Sequence, residues 1–188
     1  MKKVIIIGAS YAGLYAAKKL ENNKNIEVFL FDQNDYHYIQ VESYGFVATK
    51  YNFSDVTINI AKYIKNLNSN ITFYKKKINS FNSKQNKIIT SNNEEYIYDY
   101  LIIATGSLTS FPVQVPNIKK YSMGIKTLKE ANDIKHKFDS IVNEVLLKDK
   151  KTKNKTYNIV IGGAGLSGVE VAAEMALFIQ KDYSFVNM

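Results

Sequence analysis

Apolar residues run without a break through Val4-Ile5-Ile6-Ile7, and this run predicts a buried strand over residues 3–7. From Tyr11 to Asn22 the spacing changes. Leu14, Ala17 and Leu20 fall on one side of a predicted helix, and Asn22-Asn23 ends it. Ile26 to Phe31 predicts a second strand, so the first thirty residues read as one βαβ unit with parallel strands. Asp32 to Lys50 has no periodicity but many aromatics. Ser54 is placed as the cap of a short helix running to about Leu67, and Ile71 to Tyr74 as a third strand. Ile78–Phe81, Lys87–Thr90 and Glu95–Tyr98, separated by polar turns, predict a small antiparallel meander. Tyr100 to Ala104 predicts another buried strand, and Pro112 and Pro116 mark a crossing segment. Thr127 to Leu147 reads as a helix and Lys148 to Thr156 as a charged loop. Tyr157 to Ile161 and Leu166 to about Gln180 restart the strand–helix logic.

Composition narrows the class. The chain has 188 residues, 46% of them hydrophobic, enough for a core. No apolar run reaches the ~18 residues of a membrane span. Lys2-Lys3 before the first apolar run does not make a signal peptide, because only four apolar residues follow before Gly8. The reading is cytoplasmic. Net charge is +8, carried by lysine alone. Base readout and phosphate forks lean on arginine, so the charge is read as a solvated surface rather than a nucleic-acid face. Cysteine is absent, and with it disulfides, thiolate metal sites and redox thiols. His37 and His136 are too few and too far apart in sequence to suggest a metal site.

The candidate chemistry lies in two glycine-rich turns, each where a strand should become a helix. The first is Gly8-Ala9-Ser10-Tyr11-Ala12-Gly13; the second contains Gly163, Gly165 and Gly168. Backbone N–H groups at such a helix start, together with the helix dipole, bind a pyrophosphate without a cationic side chain. Gly8 permits the tight turn and Gly13 close helix–strand packing. Ser10 replaces the middle glycine of the fingerprint; its Cβ crowds the phosphate slightly, and its hydroxyl offers a hydrogen bond. Asp32, 19 residues after Gly13, stands where a carboxylate accepts from ribose hydroxyls, with Gln33 beside it. A surface turn is the other reading of Asp32-Gln33-Asn34-Asp35. Ala104-Thr105-Gly106 is either a second close approach to a nucleotide or a plain strand end. Two turns in tandem suggest two dinucleotides and electron transfer between them.

Val4–Leu20, DQNDYHY (32–38), YDYLIIATG (98–106) and IVIGGAGLSGVEVAAE (159–174) together resemble type II NADH dehydrogenases, within the FAD-dependent pyridine nucleotide–disulfide oxidoreductase group. The resemblance spans essentially the whole chain and about the first half of a typical member. It implies an α/β architecture: a Rossmann-like FAD-binding fold (1–115) with its meander, a connecting helix and linker (116–156), and the first βα unit of an NADH-binding fold (157–188). By resemblance, Gly8, Ser10, Tyr11, Ala12, Gly13, Asp32 and Gln33 hold the FAD pyrophosphate and ribose, and Ile78 meets the adenine. Ala104, Thr105 and Gly106 lie beside the flavin, and Gln40 and Val41 line its ring. Gly163, Gly165 and Gly168 carry the pyrophosphate of NAD(P)H. Glu170 is the acidic residue near the nicotinamide–flavin junction; a buried glutamate helping the helix dipole is its structural alternative. Asn187 stands at a suitable distance from Gly168 to bear on the choice between NADH and NADPH.

The resemblance implies an oxidoreductase that moves a hydride from NAD(P)H to FAD and then reduces a quinone. The lack of cysteine favours that branch over disulfide reductases and sulfide:quinone reductases. A flavin-binding module without turnover of its own, and a sulfide:quinone-type enzyme, are the rival readings. Peripheral contact with the inner face of the cell membrane, through a segment outside these residues, and a homodimer belong to the same expectation. One strand and one helix after residue 156 are too little for a second domain, so the chain reads as a fragment or as one completed by another segment.

Overall fold

The computed structural model describes residues 1–67, 70–147 and 157–182. In chain order the elements are β1 (Lys2–Ile7), α1 (Tyr11–Leu20), β2 (Ile26–Asp32), β3 (Tyr36–Tyr38), α2 (Ser43–Val47), β4 (Thr57–Asn59), α3 (Ile60–Lys65) and β5 (Ile71–Lys75). They continue with β6 (Ile78–Asn82), β7 (Lys87–Thr90), β8 (Glu95–Ile97), β9 (Tyr100–Ile103), α4 (Ile118–Tyr121), α5 (Leu128–Leu146) and α6 (Leu166–Asp182). They form two compact units: residues 1–38 with 57–107, and residues 39–56 with those from 108 onward. The stretch 39–56, which the resemblance keeps within 1–115, belongs to the second unit.

The first unit is built on a parallel sheet of order β5-β2-β1-β9. Its register pairs Ile7 with both Phe31 and Ile103, so β1, β2 and β9 end at one edge. The uninterrupted apolar run of β1 follows from a sheet covered on both faces. Val4 and Ile6 share one core with Leu14 and Ala17 of α1 and Ile60 and Ile64 of α3. Ile5 faces the other way, packing with Phe31, Ile88 and Tyr98. On that second face Phe31 stacks on Tyr74 (centroids 5.0 Å apart) and meets Tyr96 edge-on at 4.9 Å. The meander β6-β7-β8 forms as predicted. Asn86 and Asn93 take its turns with φ of 50° and 61°, a left-handed conformation asparagine tolerates better than most residues.

The helix predicted from Ser54 to about Leu67 is a correction. Phe53–Asp55 forms a single 3-10 turn, closed by Asn52 and Asp55 in a capping box. Strand β4 follows and pairs antiparallel with β3 inside the stretch 32–50 that has no periodicity. Helix α3 starts only at Ile60, where the Asn59 side chain accepts from the Lys62 N–H at 2.8 Å. The cap residue is therefore Asn59. Loss of a cap of this type costs about 1 kcal/mol. Asn59→Ala is expected to lower the urea midpoint accordingly, whereas Ser54→Ala should leave it unchanged.

In the second unit, Thr127 and Glu130 close a capping box at the start of α5. Phe138 of α5 meets Phe178 of α6 at 5.6 Å. Tyr44 Oη lies 3.1 Å from Ser167 Oγ, and Lys50 Nζ pairs with Glu174 at 2.8 Å, so α6 is held by α2 and the loop after it. Residues 157–161, predicted as a strand, pair with no strand among the described residues. A parallel strand exists only through its neighbours, and no described segment of this unit offers one. The charged loop Lys148 to Thr156 and Asn187 lie outside the described residues.

Candidate functional site: two glycine turns at strand-to-helix junctions

Gly8 follows β1 directly, with φ of +103°, a region closed in practice to other residues. A Cβ there would overlap the Ala104 carbonyl oxygen, and a Cβ on Gly13 would overlap the Gly8 carbonyl oxygen. The turn is thus squeezed between the end of β9 and the start of α1. Backbone bonds fix it: Gly8 N–H donates to Phe31 O at 2.7 Å, and Ala104 N–H to Ile7 O at 2.8 Å. The N–H groups of the first helical turn, Tyr11, Ala12 and Gly13, have no intrahelical acceptor by geometry. That turn carries no acidic residue, while Lys18 and Lys19 occupy the last one. Both features suit an anion at the N-terminus.

Asp32 ends β2 beside this turn. Its Oδ2 accepts from Ala9 N–H at 2.7 Å and its Oδ1 from Asn34 N–H at 2.8 Å. A carboxylate has about four lone-pair sites, so two remain for ribose hydroxyls. The turn-aspartate and ribose readings are therefore compatible: Asp32 caps its own turn and braces the glycine turn. Gln33 is exposed next to it. Ala104 is half-buried against Gly8, while Thr105 and Gly106 are exposed, with Gly106 at φ +69° and open space where a Cβ would stand. Ile78 opens β6, half-buried, opposite Thr90. Gln40 and Val41 belong to the second unit. There Gln40 donates to Lys126 O at 2.7 Å and Val41 is exposed.

His37 is a residue that the sequence pattern alone does not bring forward. It is buried, its Nδ1 lies 3.3 Å from Ser10 Oγ, and its ring meets Tyr11 edge-on at 4.5 Å. Burial pushes its pKa below the ordinary histidine value, with the Asp32 charge opposing. Its signal in sequence is thin, a three-residue strand Tyr36-His37-Tyr38 without periodicity.

The second turn repeats the local geometry of the first. Gly163 has φ +110°, and a Cβ on Gly168 would overlap the Gly163 carbonyl oxygen, as Gly13 would overlap that of Gly8. The residue two before each first glycine, Ile6 or Ile161, lies beneath the hypothetical Cβ of the last one at 3.5 and 3.4 Å. Gly165 and Gly163 have open space around them. Glu170 is exposed and lies beyond the first turn of α6, which has no acidic residue. The buried, dipole-assisting alternative for it does not hold. Glu174, the last residue of the stretch 159–174 and given no role in the sequence reading, is the glutamate held by Lys50.

Residues 2–187 match the pyridine nucleotide-disulphide oxidoreductase family. The chain belongs to that family. Among its relatives, the type II NADH:quinone oxidoreductase of Staphylococcus haemolyticus is 29% identical over 178 residues, 93% of this chain and 43% of that protein. The corresponding protein of Staphylococcus aureus is 28% identical over the same shares. The chain spans less than half the length of these curated relatives. Among solved structures, NDH2 from Plasmodium falciparum in complex with NADH superposes with a TM-score of 0.81 at 24% identity, over 98% of this chain and 38% of that one. That likeness establishes the fold: a parallel α/β sheet with small antiparallel additions. Among the described residues no helix is long and apolar enough to cross a membrane.

The residues fit the two nucleotides of this family at the level of the turns. In the Gly8 turn the Tyr11, Ala12 and Gly13 N–H groups open a helix whose first turn carries no acidic residue, Ala9 N–H is held by Asp32, and side chains at Gly8 and Gly13 are sterically excluded. Asp32 retains acceptor capacity at the strand end. The Gly163 turn has the same positive φ and the same close approach of its last glycine to the first one's carbonyl.

Proposed function

We propose that this chain is the flavin-binding part, with the start of the NADH-binding part, of an NAD(P)H dehydrogenase that reduces a quinone. The carrying observation is the pair of glycine turns with the same geometry, one beside Asp32 and one at the head of α6. Sequence likeness to type II NADH:quinone oxidoreductases supports the choice of acceptor.

In this reading FAD lies with its pyrophosphate at the turn of residues 8–13, on the N–H groups of the first turn of α1 (Tyr11, Ala12 and Gly13), and Asp32, beside Gln33, takes the adenosine ribose. Ile78 borders the adenine, and Ala104, Thr105 and Gly106 face the flavin, as do Gln40 and Val41. NAD(P)H takes the turn of Gly163, Gly165 and Gly168, with Glu170 near the nicotinamide. Bound flavin supplies the hydride-accepting chemistry; the chain's residues bind it, orient it and donate backbone hydrogen bonds to its phosphates. Residues 1–115 form the FAD domain, 116–156 the connector, and 157–188 the start of the NADH domain. We read the whole protein as cytoplasmic and homodimeric, with peripheral contact at the inner face of the membrane, where quinones dissolve.

Two measurements test this. FAD titrated into the 188-residue chain should bind with stoichiometry one and quench flavin fluorescence. Protein made from the complete reading frame should oxidise NADH with a quinone analogue and leave disulfide substrates untouched. Failure to bind FAD removes the flavin assignment, and disulfide reduction removes the quinone assignment.

A further inference from the structure

Ser10 is the N-cap of α1, yet its side chain does not cap the helix. Serine at this position ordinarily accepts from the N–H of the second or third helical residue. Here Oγ turns instead to His37 Nδ1, 3.3 Å away. His37 is delivered by β3, held against β4 through the pairing of His37 with Ile58. Its ring is fixed further by the edge contact with Tyr11. Ser10 is also the residue that replaces the middle glycine of the fingerprint, where a side chain stands nearest the phosphates. A neutral imidazole donates from one nitrogen only. If Nδ1 carries the proton, Ser10 Oγ receives it, and the hydroxyl hydrogen is left to point outward at an anion. If Nδ1 is bare, the hydroxyl hydrogen is consumed inward and a lone pair faces the anion instead.

Resting on the flavin-binding reading above, we propose that His37 is a positioning residue for the cofactor. Its Nδ1–H donates to Ser10 Oγ and so turns the Ser10 hydroxyl into a donor to the FAD pyrophosphate. That donor offsets the closer backbone approach that a glycine at position 10 would allow. Ring packing on Tyr11 is a separate, structural role, and two variants separate the roles. His37→Phe keeps the ring and removes the donor. His37→Asn removes the ring and places an amide N–H where Nδ1–H stood.

The test is FAD affinity by fluorescence titration of the full 188-residue chain. His37→Phe is expected to weaken binding about tenfold, the effect of one net hydrogen bond to a charged group. His37→Asn should stay within about twofold of the unsubstituted chain. Ser10→Ala should lose as much as His37→Phe, and the double variant no more than either alone, because the two act through one bond. In a Ser10→Gly background His37→Phe should have no effect on affinity. Nitrogen-15 spectra, assigned with His136→Gln since the chain has two histidines, should show His37 Nδ1 protonated when FAD is bound. A bare Nδ1, additive losses, His37→Phe binding like the unsubstituted chain, or His37→Asn weaker than His37→Phe would each overturn the proposal. Absence of FAD binding by the unsubstituted chain would instead remove the flavin reading itself.

Discussion

Gly13→Ala is expected to destabilise the first unit by about 3 kcal/mol or more, a large part of a domain's total stability. Helix propensity argues the opposite sign, since alanine is favoured over glycine inside a helix by about 1 kcal/mol. Geometry decides between them. The new methyl would occupy the position of the Gly8 carbonyl oxygen, with Ile6 Cγ2 3.5 Å away, so α1 must lift from β1. That movement opens the core that Val4 and Ile6 share with Leu14 and Ala17. It also displaces the N–H groups on which FAD binding is proposed to depend. Urea denaturation followed by circular dichroism reads the stability, and flavin titration reads the site. Two controls calibrate the result. Gly165→Ala, where a Cβ meets open space, should be near neutral. Gly106→Ala, also unobstructed but at φ +69°, should cost only about 1–2 kcal/mol for the left-handed backbone. A Gly13→Ala protein as stable as the parent would show that helix and strand do not pack closely at this turn.

Asp32→Ala is the second large effect, and it acts on folding and binding together. The substitution leaves two backbone donors without their acceptor, Ala9 N–H and Asn34 N–H. Ala9 is buried, so its N–H has no easy recourse to water. Each hydrogen bond to a charged acceptor is worth about 1.5–3 kcal/mol, which puts the loss of the two at about 3 kcal/mol or more before any ligand is considered. FAD affinity should fall further, by roughly ten- to a hundredfold, as the ribose hydrogen bonds and the brace on the glycine turn go together. Asp32→Asn separates the two contributions. It keeps one acceptor oxygen for a backbone N–H and removes the charge, so stability should recover more than affinity does. Equal flavin retention by Asp32→Ala and the parent would take Asp32 out of the site.

Some of this protein was determined locally, and the sequence was sufficient for it. A run of four apolar β-branched residues, a glycine that must take positive φ and an apolar side at helical spacing specify β1, the turn and α1 within about twenty residues. The meander was legible because asparagines, which tolerate the left-handed conformation, stand at Asn86 and Asn93. Both glycine turns were legible because the clash of the last glycine with the first one's carbonyl, Gly13 with Gly8 and Gly168 with Gly163, is steric and stays within six residues; the further clamp of Gly8 by the Ala104 carbonyl is tertiary.

What tertiary structure alone decided involves partners far along the chain. Asn59 rather than Ser54 caps α3, because residues 57–59 are drawn into a strand by β3 and the helix cannot begin until that ladder ends. Residues 39–56 join the second unit through pairs such as Gln40 with Lys126 and Lys50 with Glu174, which no local pattern announces. Residues 157–161 have the composition of a strand but no ladder among the described residues, since backbone pairing is a property of two segments and not of one. His37 shows the same limit. One histidine in an aperiodic aromatic stretch carries no signal by itself, and only burial beneath Ser10 and Tyr11 gives its ring nitrogen something to hold.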